Sequence, residues 1–102
     1  MCRAVNLRTE KYDIYIGRAG HGQEGLFGNP FRVGIHGARG ECVKLFRNWF
    51  YSEHPRAVDM RKLVQERIKP GDKLGCFCKP NACHGDIIAE FVNNGYKETA
   101  HA

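Results

Sequence analysis

A small single α/β domain, with a sheet of about three strands, three helices and a long glycine-rich loop, is the fold class that the sequence predicts. Three observations lead there. Short apolar runs of strand length stand at residues 2–8, 12–18 and 74–78, and stripes of helical period stand at 39–51, 56–68 and from 84 onward. Between the second strand and the first helix, Gly17 to Gly40 holds eight of the twelve glycines. That density excludes a continuous helix or a long regular strand, because glycine loses the most conformational entropy when fixed in either. A chain of 102 residues can bury one modest core. Residues 1–97 are therefore expected to form the domain and 98–102 a frayed polar tail.

The first strand, CRAVNLR (2–8), ends polar at Asn6 and Arg8. The second, YDIYIGR (12–18), alternates Ile14 and Ile16 with Tyr15 and Gly17. Only Thr9-Glu10-Lys11 separates the two, so a hairpin is expected. The glycine-rich stretch that follows carries Phe27-Gly28-Asn29-Pro30-Phe31, where two aromatics bracket a turn and are expected to anchor the loop over a site. Gly20-x-Gly22-x-x-Gly25 has dinucleotide-binding spacing, but no helical pattern opens at it and Pro30 follows, so it is not read as that fingerprint.

In the first helix Cys42, Leu45, Phe46, Trp49 and Phe50 fall at i, i+3, i+4, i+7 and i+8, an apolar stripe expected to face the core. Ser52-Glu53-His54-Pro55 breaks the chain, and Pro55 suits the first turn of a second helix that buries Ala57, Met60, Val64 and Ile68. Lys69-Pro70-Gly71-Asp72 turns the chain into the third strand, and Lys79-Pro80-Asn81 turns it out again. The last helix begins at His84, puts Ile87, Ile88, Phe91 and Val92 on one stripe, and stops at Asn93-Asn94-Gly95.

Hydrophobic content of 42% and charged content of 26% are ordinary for a soluble globular protein. No apolar run approaches the roughly 20 residues that span a bilayer, and MCRAVNLR at the start lacks the apolar segment of a secretory signal. A cytoplasmic location with no membrane partner is expected. In that reducing compartment the five cysteines are expected to be thiols or metal ligands rather than disulfides. Cys42, on a helix stripe, reads as a small buried hydrophobe. The net charge of +5 is uneven: residues 1–50 carry eight Lys and Arg against four Asp and Glu, and six of those eight are arginines. Arginine favours bidentate contact with phosphate or carboxylate, although a plain basic surface accounts for the same excess.

Chemistry concentrates at Cys76, Cys78, Cys83 and His84. Two cysteines two apart on a strand share a face, and the short turn brings Cys83 and His84 back over it. Three readings follow. The four can close a tetrahedral zinc site, with iron as the other metal such ligands take. Cys83 can be a nucleophile whose thiolate is favoured at a helix N-terminus, with His84 or Lys79 assisting and Asp86 capping the helix or orienting His84. The helix N-terminus can bind an anion, with His84-Gly85-Asp86 admitting the ligand to the backbone and Arg8 and Arg18 adding charge. The plain alternative is that Cys76 and Cys78 are packed core thiols and His84 a satisfied cap.

Taken together, VNLR (5–8), YIGR (15–18), FGNPF (27–31) and LGCFCKPNACHGDIIAE (74–90) resemble the domain-of-unknown-function 4326 family of phages and bacteria, in the same order over nearly the whole chain. The resemblance implies a single small α/β domain and a polar site in which Asn6, Arg8, Arg18, Gly28 and Asn29 join the cysteine and histidine positions. It brings no established activity. A strand that runs through a turn into a helix puts the cluster at a strand's carboxyl end, where open α/β sheets bind ligands. The expected function is a pocket there, framed by Arg8, Arg18, Asn29, Cys83, His84 and Asp86, that binds a nucleotide or other phosphorylated ligand. The alternatives are a zinc-stabilised nucleic-acid-binding module whose basic first half meets phosphates, and a phage regulator that binds a host protein through the glycine-rich loop.

Overall fold

Leu74, Gly75 and Cys76 are all buried, as in a strand covered on both faces and flanked on both edges. They form β3 (Lys73–Cys76), the central strand of a three-stranded sheet in a computed structural model that describes residues 1–20, 22 and 25–98. On one edge lies β1 (Arg3–Asn6) and on the other β2 (Ile14–Tyr15), each parallel to β3. The helices are α1 (Arg39–Phe50), α2 (Pro55–Arg67) and α3 (His84–Asn93). The tail expected at 98–102 lies, beyond Glu98, outside the described residues.

The hairpin expected between the first two strands does not form. Both pair in parallel with β3, Ala4 and Ile14 standing on either side of Leu74. A buried central strand offers two unpaired edges, and filling both satisfies more buried backbone than one isolated hairpin does. The chain from Leu7 to Asp13 must then cross β3. It turns at once, Thr9 and Glu10 donating their N–H groups to Asn6 O at 3.1 and 3.0 Å, and it passes over Gly75. A Cβ at Gly75 would lie 2.6 Å from Cγ of Tyr12, so only glycine leaves room for the ring. Asp13 closes the crossing: its N–H donates to Lys73 O at 2.8 Å and its Oδ2 accepts from Lys73 N at 2.8 Å.

The helices begin where the sequence signals place them. Pro55 opens α2 behind His54, whose Nδ1 accepts from Arg56 N at 3.2 Å. Arg61 then bonds the carbonyls of Phe50 and Ser52, tying α2 to the end of α1. Phe46 and Phe50 are wholly buried on α1 and stack at 5.3 Å, and Phe91 of α3 meets Phe50 edge-on at 5.2 Å. Leu45, expected in the same stripe, is exposed, because α1 presents only a narrow face to α3 and α2. An Arg47–Glu90 ion pair joins α1 to α3 at the rim.

Helix α3 is buried on nearly every side, from His84 and Gly85 through Ile87, Ile88 and Ala89 to Phe91 and Val92. Its first turn presses directly on the sheet. A Cβ on Gly85 would stand 2.4 Å from Cδ1 of Ile16 and 3.1 Å from Cβ of Ala4. At its other end Asn93 exchanges two hydrogen bonds with the backbone of Cys2, at 2.9 and 2.8 Å. Among the described residues no helix is long and apolar enough to cross a membrane.

Gly75→Ala should lower the unfolding free energy by about 1–3 kcal/mol, the usual cost of overpacking a filled site. Gly40→Ala, in a helix and with nothing within 4 Å of its Cβ position, should raise it by about 0.5–1 kcal/mol. Urea unfolding of the two variants measures both, and equal stability for Gly75→Ala would contradict the crossing over β3.

Candidate metal centre and ligand cavity

Cys76 is the last residue of β3 and Cys83 is the N-cap of α3. The turn between them, closed by Asn81 N donating to Cys78 O at 2.8 Å, folds Cys78 back toward both. The Sγ atoms of Cys76, Cys78 and Cys83 all lie within 4.8 Å of one another, with Cys83 Sγ 3.2 Å from Cys76 Sγ. The backbone is arranged for negative charge on these sulfurs. Gly85 N donates to Cys83 Sγ at 3.3 Å, and the N–H groups of Cys78 and Lys79 serve the sulfur of Cys76.

These thiols cannot all ionise unaided. The Cys78 thiol, then the Cys83 thiol, hold Cys76 far below the ordinary thiol value of 9.0, helped by those backbone donors and opposed by burial. Hydrogen bonds with Cys76 and then Cys78, followed by burial, push the Cys83 thiol strongly up, and the hydrogen bond with Cys76 pushes the Cys78 thiol up as well. The first thiol to ionise therefore disfavours ionisation of its neighbours, and a cation among the three sulfurs would offset that repulsion and bring the other protons off.

His84, only 6% exposed, is held differently. Its Nε2 stands 2.8 Å from Ile16 O and 2.9 Å from Phe27 O. Both partners only accept, so the proton is assigned to Nε2. Burial, outweighing these carbonyls, pulls the imidazole below its ordinary value, and it is neutral at pH 7. That leaves the Nδ1 lone pair 3.7 Å from Cys83 Sγ. The ring also packs edge-on against Phe46 at 5.2 Å.

Above the thiols opens a cavity of about 500 Å³ at the carboxyl ends of the three strands. Its walls include Tyr12, Tyr15, Phe31 and Phe77, with Arg39 at the start of α1. Of the residues singled out from sequence, Arg18, Asn29, Cys76, Cys78, Cys83 and His84 line it. Arg18 spends its fork on the loop, donating to Asn29 O at 2.7 Å and Phe31 O at 3.0 Å. Asn29 turns the loop by accepting Phe31 N at 2.9 Å.

The other four stand outside the lining. Asn6 fastens β1 to the turn, donating from Nδ2 to Lys79 O at 2.8 Å. The guanidinium of Arg8 lies 5.2 Å from the centre of the Phe77 ring, itself a cavity wall, without lining the cavity. Gly28 lets two loop segments meet, since a Cβ there would be 3.2 Å from Gly17 O. Asp86 caps α3, accepting Cys83 N at 3.2 Å and pairing with Lys79 at 2.5 Å. The helix N-terminus is therefore served by its own chain, and Gly85, expected to admit a ligand, is covered by Ile16 and Ala4.

Sequence reasoning missed Arg39 and the tyrosine walls. Arg39 lies three residues before Cys42, on the same side of α1 as the apolar stripe but itself exposed. A charge at the end of an apolar stripe is the signal that marks it. Among the described residues it has no hydrogen bond or ion pair.

In comparison with known proteins, a family model described as "Domain of unknown function (DUF4326)" matches residues 2–94. A relative from Enterobacteria phage T4, described as an uncharacterized 12.4 kDa protein in the nrdA-td intergenic region, is 33% identical over 100 residues, spanning 96% of this chain and 83% of the relative. No solved structure matches the chain.

The imidazole of His84 should show no titration step at or above pH 6.5 by NMR, and its proton should reside on Nε2. Because its folded value is lowered, neutral His84 supports folding fully above the unfolded value of about 6.5, and that support is lost as pH falls. A midpoint above 6.5, or a proton on Nδ1, would contradict this placement.

Proposed function

The chain belongs to the domain-of-unknown-function family DUF4326, and from the site alone we propose that the cavity binds a nucleotide or another phosphorylated small molecule, with zinc held at its floor by Cys76, Cys78 and Cys83. One juxtaposition carries this reading. Arg39, with no hydrogen bond among the described residues and its charge acting on the Cys78 thiol, lines a cavity walled by Tyr12, Tyr15, Phe31 and Phe77 and floored by three thiols. Aromatic faces accept a planar base by stacking, worth about 1–3 kcal/mol per base. Arginine accepts phosphate through paired N–H donors. The sulfurs supply what a borderline soft cation needs, and the backbone donors to Cys76 and Cys83 temper the charge of a thiolate cluster.

The pieces divide the work between them. Arg18 holds the segment around Asn29 and Phe31 in place and so shapes the wall. Arg39 contacts the ligand. His84 fixes β2, the segment at Phe27 and α3 relative to one another and keeps the floor dry. Lys79 and Asp86 belong to the outer cap of α3 and take no part in the ligand's recognition.

Protein purified without chelator or metal-affinity steps should carry about one equivalent of zinc by elemental analysis, lost in Cys83→Ser. An equivalent of iron instead would change the metal and leave the site. Calorimetric titration with a panel of mono- and dinucleotides should find a binder that Arg39→Ala weakens by about 10–100-fold, the value of a charged hydrogen bond. Unchanged affinity in Arg39→Ala, or no binder in the panel, would count against the nucleotide reading.

A further inference from the structure

We infer that the metal held by the three cysteines keeps one coordination position open toward the cavity, and that the bound molecule fills it with a ring nitrogen or a sulfur. This rests on the zinc reading above and adds to it how the metal and the ligand meet.

The argument begins with the donors available. Zinc in a closed structural site takes four protein ligands, whereas three protein ligands and one open position mark a site that engages other molecules. Among the described residues, the group of His, Cys, Asp and Glu atoms that converge consists of Cys76, Cys78 and Cys83. His84 is adjacent in sequence and is the natural fourth candidate, yet its ring nitrogens do not join the three sulfurs in the group whose ligand atoms all lie within 4.8 Å of one another. Nε2 donates between the carbonyls of Ile16 and Phe27, and Nδ1 approaches Cys83 alone, at 3.7 Å. Donation from Nε2 leaves Nδ1 able to ligate, but it pins the ring, and carrying Nδ1 in among all three sulfurs would move the ring off the carbonyls of Ile16 and Phe27 and off its edge contact with Phe46. Asp86 faces away, engaged with Lys79 and the Cys83 N–H. Cys42 lines the same cavity, but its thiol meets Gly37 O at 3.6 Å.

The direction of the open position follows from burial. Cys76 and Cys83 are each 1% exposed, while Cys78 is half-buried, and all three line the cavity. The protein closes over the metal from below, where β3 and α3 meet. Above it stand Tyr12, Tyr15, Phe31 and Phe77. A thiolate-bound zinc prefers nitrogen and sulfur donors to hard oxygen. A planar nitrogen heterocycle stacked against those walls presents a ring nitrogen along its edge, which is the donor such a metal takes. Arg39, at the same cavity, would then hold the charged part of that molecule.

Cobalt substitution of the full chain tests this. Cobalt-loaded protein should show thiolate-to-metal charge transfer and the visible bands of tetrahedral coordination. Imidazole, used as the nitrogen probe, should shift those visible bands in a saturable way while one equivalent of cobalt stays with the chain on gel filtration. His84→Gln, which keeps an N–H donor for the carbonyls of Ile16 and Phe27 while removing the imidazole nitrogen, should bind one equivalent of cobalt with the same starting spectrum. Visible bands indifferent to imidazole would overturn the open position and leave the metal site standing. So would a folded His84→Gln that loses cobalt or changes its spectrum, since that is the behaviour of a closed set. Failure of the native chain to take up cobalt would overturn both readings at once. Should His84→Gln not fold, the imidazole titration of the unaltered chain decides alone.

Discussion

One buried proton, on Nε2 of His84, holds three separate parts of the chain together. It is shared by the carbonyl of Ile16, just past β2, and the carbonyl of Phe27, in the segment before Pro30, while the ring itself belongs to the first turn of α3. Each carbonyl would otherwise be a buried acceptor without a partner, a loss of roughly 1–3 kcal/mol apiece. The bond therefore fixes where α3 meets the sheet. Gly85 completes the constraint by letting that turn settle within contact of Ile16 and Ala4.

Fixing the start of α3 also fixes the thiols. Cys83 is the cap of the helix that His84 anchors, and Cys76 ends the strand on which the helix rests, so their 3.2 Å approach is imposed by the fold. Three sulfurs within 4.8 Å of one another would repel if more than one were ionised. Proteins retain such arrangements where function repays the strain. A cation is the most direct repayment, since it converts mutual repulsion among thiolates into coordination. If bound, its binding free energy would become folding free energy in a domain of this size.

Much of this was legible in the residues. The start of α3 at His84, the stop at Asn93-Asn94-Gly95, the break before Pro55 and the buried pair Phe46 and Phe50 all follow from local signals that the tertiary structure respects. Strand pairing was not legible. Three residues between two apolar runs look like a hairpin unless one knows that a third strand, some sixty residues on, will lie between them. Only Gly75 hinted at it, and a glycine inside a strand has several explanations. The same crossing decides which polar residues reach the cavity. It brings Tyr12 into the cavity wall and leaves Arg8 outside the lining, over the ring of Phe77. Arg39, not Arg18, has its donors to spare, because the carbonyls that occupy Arg18 come from a loop whose path no periodicity reveals. The four-ligand reading set His84 beside the cysteines; three sulfurs converge, while Nε2 of His84 is directed by carbonyls 57 and 68 residues distant, which no local pattern reveals.

The most direct measurement is X-ray absorption at the zinc edge of the zinc-loaded chain. Three sulfurs at about 2.3 Å and one nitrogen or oxygen at about 2.0–2.2 Å are expected, the light atom being replaced when a heterocyclic ligand enters the cavity. Fewer than three sulfurs around the metal, or a shell of nitrogen and oxygen alone, would contradict the central claim that Cys76, Cys78 and Cys83 together form the floor of a metal-dependent binding site.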